Sequence, residues 1–225
     1  MKKHIWLQGI GLGLLSLSPN LFAYEAGDML VRAGFTQVAP NDSSSNILAG
    51  GSELPVGLRV GNNAQLGLNL AYFITDKINI ELLAATPFTH DVDFDVPDPL
   101  DTGNKLGEVT HLPPTLSANY YFMGKQSRFQ PYVGLGLNYT IFFDEEFTAE
   151  NTAAGLNDLE LDASLGLSAQ LGMDYELDRD WHINASIRWI DIDTEASFKV
   201  GDANGQVQSI TIDPTVITVA IGYKF

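Results

Sequence analysis

Residues 216–225 read VITVAIGYKF, and this stretch decides the fold. Its side chains alternate between two sets, and a β-strand sends alternate side chains to opposite faces. The odd-numbered set is wholly apolar and ends in two aromatic rings, whereas the even-numbered set consists of small or polar residues and Val216. Such a strand suits a wall with lipid on one side and a lumen on the other. The stretch therefore predicts a strand of a membrane β-barrel.

The same period of two recurs in eight segments of the chain. In the clearest of them, Val133 and Leu135 alternate with Gly134 and Gly136. The connections are short at one end and mostly long and polar at the other, as in barrels with periplasmic turns and extracellular loops. We therefore predict an all-β fold, an eight-stranded antiparallel transmembrane β-barrel. The eight segments are residues 29–38, 64–74, 78–88, 108–122, 130–143, 161–175, 181–190 and 216–225, and the long connections are 39–62, 89–107, 148–160 and 201–205.

Residues 1–23 have the composition of a secretory signal peptide. Lys2 and Lys3 precede a short apolar run, and Ala23 is a small residue at a suitable cleavage point. Cleavage there leaves residues 24–225 as a single barrel domain. No later segment has the ~20 apolar residues that a membrane helix requires. Because the chain contains no cysteine, an exported fold would depend on its sheet and not on disulfides.

The chain is strongly acidic, with 28 Asp and Glu against 12 Lys and Arg and a net charge of −16. Nucleic acid is excluded as a partner, since phosphate neutralisation requires the opposite sign. Five aspartates crowd residues 89–107. A specific Ca²⁺ site needs about six or more converging oxygens, so we predict a solvated acidic surface without a metal site or a cofactor. Divalent ions bridging to lipopolysaccharide would be a modest elaboration of that surface.

Aromatic residues mark the expected edges of the apolar band. Trp181 and Trp189 lie on one face, about 26 Å apart along a strand. Beyond Trp189 the same face carries Asp191 and Asp193, which lipid would not tolerate. Aromatic rings at membrane interfaces form girdles. The predicted girdle residues are Trp181, Trp189, Tyr175, Tyr223 and Phe225.

Nine short motifs are spread over residues 24–225. They are YEAGD (24–28), RAG (32–34), ELLAATPF (81–88), HLPPTL (111–116), RFQPYVG (128–134), GLNY (136–139), RDW (179–181), DIDT (191–194) and GYKF (222–225). Together they resemble the OmpW family of outer-membrane proteins. The resemblance implies a monomeric barrel in the outer membrane of a Gram-negative bacterium, with a narrow, partly hydrophobic lumen that passes small hydrophobic solutes. The terminal Phe225 resembles the signal that the outer-membrane assembly machinery recognises.

An eight-stranded barrel has an interior just wide enough for side chains or one small ligand. By parity Arg32, Glu81 and Arg188 face inward, and charges of both signs in a narrow lumen should pair. We predict a polar plug low in the barrel, with Glu81 opposite Arg32 or Arg188. It either only fills the barrel or blocks passage to the periplasm. The residues predicted to line an apolar pocket above it are Leu83, Phe142, Ile190, Leu48 and Leu54.

Three prolines lie at about the same height along the barrel, on two neighbouring predicted strands. Pro87 lies on the third predicted strand, and Pro113 and Pro114 lie on the fourth. Proline has no N–H to donate to a sheet ladder. The prolines therefore either end the pairing near the rim or interrupt the wall. In the second case an apolar solute could leave the lumen sideways into the lipid bilayer.

The leading functional hypothesis is a porin-like channel for small, apolar solutes. The alternative is a structural or receptor barrel whose acidic extracellular loops bind phage, bacteriocin or cation-bridged lipopolysaccharide. An enzyme is not expected, because His111 shares a face with Thr115 and Ser117 but no acidic residue on that strand follows the same parity. A soluble lipocalin-like carrier is disfavoured, because its charged residues would lie inside and its leucines outside.

Overall fold

The computed structural model describes residues 24–95 and 103–225. The expected signal peptide, residues 1–23, lies outside the described residues, as do Asp98 and Asp101. No helix in the described ranges is long and apolar enough to cross a membrane. The elements are β1 (Met29–Ala39), β2 (Ser43–Ser44), β3 (Ile47–Ala49), β4 (Ser52–Leu54), β5 (Leu58–Val60), β6 (Asn63–Thr75), β7 (Ile78–Ala85), β8 (Phe88–Phe94), β9 (Lys105–Leu112), β10 (Thr115–Tyr121), β11 (Phe129–Phe147), α1 (Ala149–Ala153), β12 (Leu156–Leu161), β13 (Ser164–Glu176), β14 (Trp181–Ile190), β15 (Asp193–Val200), β16 (Ala203–Thr211) and β17 (Thr215–Lys224).

Eight of these strands form a closed barrel in which each strand is antiparallel to both neighbours. The order is β1, β6, β7, β10, β11, β13, β14 and β17, and β17 pairs again with β1. The closing pair runs without a register shift from Leu30 opposite Lys224 to Ala39 opposite Thr215. Closure leaves no free sheet edge, because each barrel strand has a paired neighbour on both sides, as a bilayer requires. The predicted all-β, eight-stranded antiparallel barrel is confirmed.

The wall of the barrel has two chemically different faces. Large apolar side chains point outward, and Leu135 and Leu165 are 73% and 74% exposed. Polar side chains and glycines point inward, and Asn138 and Thr140 are fully buried. An exposed apolar band of this extent is unfavourable in water. The outer face is therefore suited to hydrocarbon.

Spin labels placed on the two faces of the wall test this orientation. A label at Leu135 is expected to be relaxed strongly by membrane-dissolved oxygen and weakly by a water-soluble nickel chelate, because its side chain meets hydrocarbon. A label at Asp158, an exposed residue of β12, serves as the matched control and should show the opposite order. Chelate access at Leu135 equal to that at Asp158 would contradict the orientation.

The barrel end opposite the chain termini carries an extension of paired strands. There β9 pairs with the upper part of β11, β8 pairs with β9, and β5 pairs with β8. A second sheet follows the order β12, β15, β16, β3 and β4. The interpretation of these connections as mostly polar loops was therefore wrong for residues 39–62, the described parts of 89–107, 148–160, which contains α1 and most of β12, and 201–205.

The alternate spacing of the acidic residues explains why the segment predicted as an acidic loop after residue 88 forms a strand. Along β8 and the residue after it, Asp91 and Asp95 are exposed, whereas His90 and Phe94 are buried. The aspartates thus form one face of a strand whose other face is apolar. This other face packs into the upper core with residues such as Leu106. A crowd of aspartates at alternate positions is compatible with a half-buried strand.

Candidate functional site

Four charged side chains meet in the lower half of the lumen and form an ionic plug: Arg32, Glu81, Asp174 and Arg188. One terminal nitrogen of Arg32 lies 2.8 Å from Glu81 Oε2 and the other 2.7 Å from Asp174 Oδ2. Arg188 reaches Glu81 Oε1 at 2.8 Å. All four residues are buried. Glu81, expected opposite one of the two arginines, lies between both, and the two cations balance the two anions.

Four aromatic rings lie beside the ionic plug and form an aromatic floor: Tyr24, Phe73, Tyr121 and Tyr132. Tyr24 stacks on Phe73 with ring centroids 4.4 Å apart, and Tyr121 lies 4.9 Å from Tyr132. The hydroxyls of Tyr24 and Tyr121 both donate to Asp174 Oδ2, at 2.8 and 3.0 Å. Sequence reasoning missed Tyr24, because it precedes β1 and strand periodicity does not reach it.

An inward glycine creates the room for this packing. A Cβ at Gly222 would collide with the His182 ring and come within 2.9 Å of Arg32 Cγ. His182 in turn accepts a hydrogen bond from Arg32 Nε at 3.1 Å. The small residues of the inward set are therefore required where large polar side chains cross the lumen.

Two apolar cavities lie above the ionic plug, in the extension. The inner cavity has a volume of about 60 Å³ and the outer cavity about 280 Å³. Residues that line the inner cavity include Val38, Val60, His90, Val92, His111 and Phe142. Residues that line the outer cavity include Ile47, Leu54, Phe94, Phe147, Leu156 and Phe198. Four residues line both: Leu58, Leu106, Leu159 and Ala196.

The residues predicted for the apolar pocket are divided among several places. Phe142 lines the inner cavity and Leu54 the outer one. Ile190 is buried in the apolar core around them, while Leu83 is buried at the end of the β7–β10 ladder. Leu48 lines neither cavity, because alternation in the short strand β3 directs its neighbour Ile47 inward instead.

The three prolines lie at an interruption of the ladder between two neighbouring strands. The last β7–β10 pair is Leu83 with Thr115, and the first β8–β9 pair is Phe88 with His111. Pro87, Pro113 and Pro114 occupy the gap between these pairs. The carbonyls of both Pro113 and Pro114 accept hydrogen bonds from the Asn138 amide on β11. The chain around the gap is thus fixed from the β11 side.

A model of the OmpW family matches residues 25–225. The chain belongs to the OmpW family. It is 48% identical over 214 residues to outer membrane protein W of Vibrio cholerae, covering 95% of each chain.

Two proteins of Pseudomonas aeruginosa are also similar to this chain. The crystal structure of outer membrane protein OprG from Pseudomonas aeruginosa matches this OmpW-family barrel with a TM-score of 0.85 and 41% sequence identity, covering 91% of this chain and 99% of that one. The dibenzothiophene metabolism operon protein PahQ of Pseudomonas aeruginosa is 29% identical over 195 residues, covering 86% of this chain and 87% of that one. The OmpW-family barrel accordingly lies in the outer membrane of a Gram-negative bacterium, in contact with the lipid bilayer.

The predicted girdle residues of this OmpW-family barrel lie on its outer face. Trp181, Trp189, Tyr175 and Phe225 are exposed. Tyr223 is half-buried, with its ring centroid 5.0 Å from that of Trp181 and 4.7 Å from that of Phe225. These three rings form one aromatic group at the end of the barrel that carries the chain termini.

The acidic surface of the OmpW-family barrel is distributed over the extension. Within residues 24–95 and 103–225, no three His, Cys, Asp or Glu residues are grouped so that they could hold a metal ion. Asp91 and Asp158 instead pair with Lys105 and Lys199 at 2.7 Å on the exposed surface.

Proposed function

We propose that this protein is a passive outer-membrane channel for small apolar solutes, which enter through the two cavities and leave sideways at the ladder interruption. The observation that carries the proposal is the vertical order of the lumen, with apolar cavities above and a buried ionic plug below. An apolar solute gains about 25 cal/mol for each Å² of its surface removed from water. The cavities therefore favour such a solute over a sugar or an ion.

The ionic plug makes straight passage to the periplasm unfavourable. A solute that crossed it would have to separate Arg32 from Glu81 and Asp174, which are fully buried. Breaking a buried ion pair costs several kcal/mol, because the remaining charge is uncompensated. An apolar solute offers no group that could replace either partner.

The ladder interruption provides the proposed exit. It lies beside the inner cavity, since His111 takes part in the pair above the gap and also lines that cavity. On the outside of the wall the solute would meet hydrocarbon, which dissolves it as well as the cavity does. The proline residues keep this gap unpaired, because they cannot donate backbone hydrogen bonds.

The name of one relative supports an apolar solute class. The operon named for the relative PahQ concerns dibenzothiophene, an apolar aromatic compound, which supports an apolar solute class here. We propose that the barrel acts as a monomer next to lipopolysaccharide, that residues 1–23 are removed during export, and that the assembly machinery recognises Phe225.

The test measures the uptake of an apolar solute and the conductance of ions with the same purified protein. Vesicles with lipopolysaccharide in the outer leaflet are expected to take up dibenzothiophene faster when they contain the protein than when they do not. Ion conductance of the same protein in planar bilayers should stay low, because the ionic plug closes the straight path. Uptake equal to that of protein-free vesicles would overturn the proposal, and a large, stable ion conductance would contradict the plug.

A further inference from the structure

Two histidines form a stacked pair in the wall of the inner cavity. The rings of His90 and His111 lie 4.9 Å apart at an interplanar angle of 19°, and Phe88 stacks on His111 at 5.6 Å. His90 is 2% exposed and His111 7%. Both line the inner cavity, whose other walls are almost entirely apolar. A polar pair at this place needs a physical explanation.

One ring nitrogen of His90 has a partner and the other has none. Nδ1 contacts the carbonyl oxygen of Gly61, which can only accept a hydrogen bond, so Nδ1 carries the proton. Nε2 is buried and has no hydrogen-bond partner. In a neutral ring with a protonated Nδ1, Nε2 is an acceptor. Burial lowers the pKa of His90, which belongs to the extension above the barrel, and this favours the neutral ring.

A second polar atom of the inner cavity is also an acceptor. The hydroxyl of Thr140 donates its proton to Asn138 Oδ1 at 2.7 Å, so its oxygen offers lone pairs only. Thr140 is fully buried and lines the same cavity. His90 and Thr140 thus present acceptors, and each lacks a free proton to donate. A ligand that complements them has to bring its own donor.

We propose that the inner cavity binds the single hydroxyl or N–H group of an otherwise apolar molecule, with His90 Nε2 as the hydrogen-bond acceptor that selects it. This inference rests on the proposed channel function and narrows its solute class. The channel then prefers a long-chain alcohol to the corresponding alkane or ether. His90 is a specificity-determining residue of the route.

The sizes of the two cavities fit an elongated molecule of this class. A volume of about 60 Å³ suits a hydroxyl and the first carbons of a chain, since one water takes about 30 Å³ in the liquid. The adjoining outer cavity of about 280 Å³ accommodates the rest of the chain. The shared residues Leu58, Leu106, Leu159 and Ala196 make the boundary between them apolar.

The test compares 1-octanol with its isomer 1-methoxyheptane, which has the same atoms but no hydrogen-bond donor. The full chain in lipid nanodiscs is expected to bind 1-octanol about tenfold more tightly, the equivalent of one net hydrogen bond. ¹⁵N NMR of the histidine rings should show the Nε2 resonance of His90 shifting with 1-octanol and not with the ether. His90→Phe should bring the affinity ratio close to one, and His90→Gln, which keeps an acceptor oxygen, should restore part of it.

Asp93→Asn, on the opposite face of β8, is the matched control and should keep the tenfold ratio. Equal binding of alcohol and ether by the unaltered protein would overturn the inference while leaving the channel proposal intact. The inference would also be overturned if the ¹⁵N shift of His90 Nε2 reported a hydrogen bond to water and did not change on addition of 1-octanol. If neither probe bound and dibenzothiophene uptake also failed, both proposals would fall together.

Discussion

Replacing Arg32 with leucine is expected to lower the free energy of unfolding by about 3–5 kcal/mol. The substitution removes the cation that bonds both Glu81 and Asp174, and all three side chains are fully buried. Of the two anions, Glu81 keeps Arg188 at 2.8 Å, but the plug as a whole retains one uncompensated negative charge. Urea unfolding of the refolded protein in lipid vesicles, followed by tryptophan fluorescence, measures the loss.

Two further variants separate charge balance from packing. Lys199→Met breaks an exposed pair with Asp158 and should leave the free energy of unfolding nearly unchanged, because solvent screens that pair. The double variant Arg32→Leu with Asp174→Asn restores neutrality of the plug and should recover part of the loss. If Arg32→Leu were as stable as the Lys199→Met control, the ionic plug would not stabilise the barrel.

Ala85→Trp is expected to reduce dibenzothiophene uptake by about tenfold or more. Ala85 is the last residue of β7, it pairs with Gly67, and its side chain packs against the apolar core next to the ladder interruption. An indole there occupies the proposed route, and displacing packed side chains costs about 1–3 kcal/mol. A barrier higher by 1.36 kcal/mol slows a step tenfold. The vesicle uptake assay with an apolar solute measures the effect.

Leu135→Trp places the same ring on the lipid face and is the matched control, with uptake expected to be unaltered. Ala196→Phe fills the boundary between the two cavities from β15 and should also reduce uptake. This second variant keeps the test valid if Ala85→Trp folds poorly. Normal uptake by folded Ala85→Trp and Ala196→Phe would remove the cavities from the solute path.

Most of the barrel could be predicted from local pattern, and its extension could not. The alternation of Leu135 with Gly136 already assigns each side chain to a face, because a strand has a period of two. The same rule applied to Asp91 and Asp95 would have predicted a strand in the extension. The density of acidic residues favoured a loop there, because short strands with one charged face resemble solvated segments.

The height of a side chain along the lumen was harder to predict than the face of the strand on which it lies. Leu83 and Phe142 both face inward, but Leu83 ends the ladder below the prolines whereas Phe142 lines the inner cavity above them. Parity assigns a side chain to a face and does not determine its level, which depends on strand tilt and on the stagger of the ladders.

The sequence by itself determined the two faces of the wall and the number of barrel strands, because each depends on residues close together in the chain. Only the tertiary structure decided which inward groups meet. Tyr24 bonds Asp174 across 150 residues, and the His90 and His111 rings stack because β8 pairs with β9. A slip of one residue in any ladder would move such groups to the opposite face. Closure of the sheet sets all registers together, and no local segment contains that information.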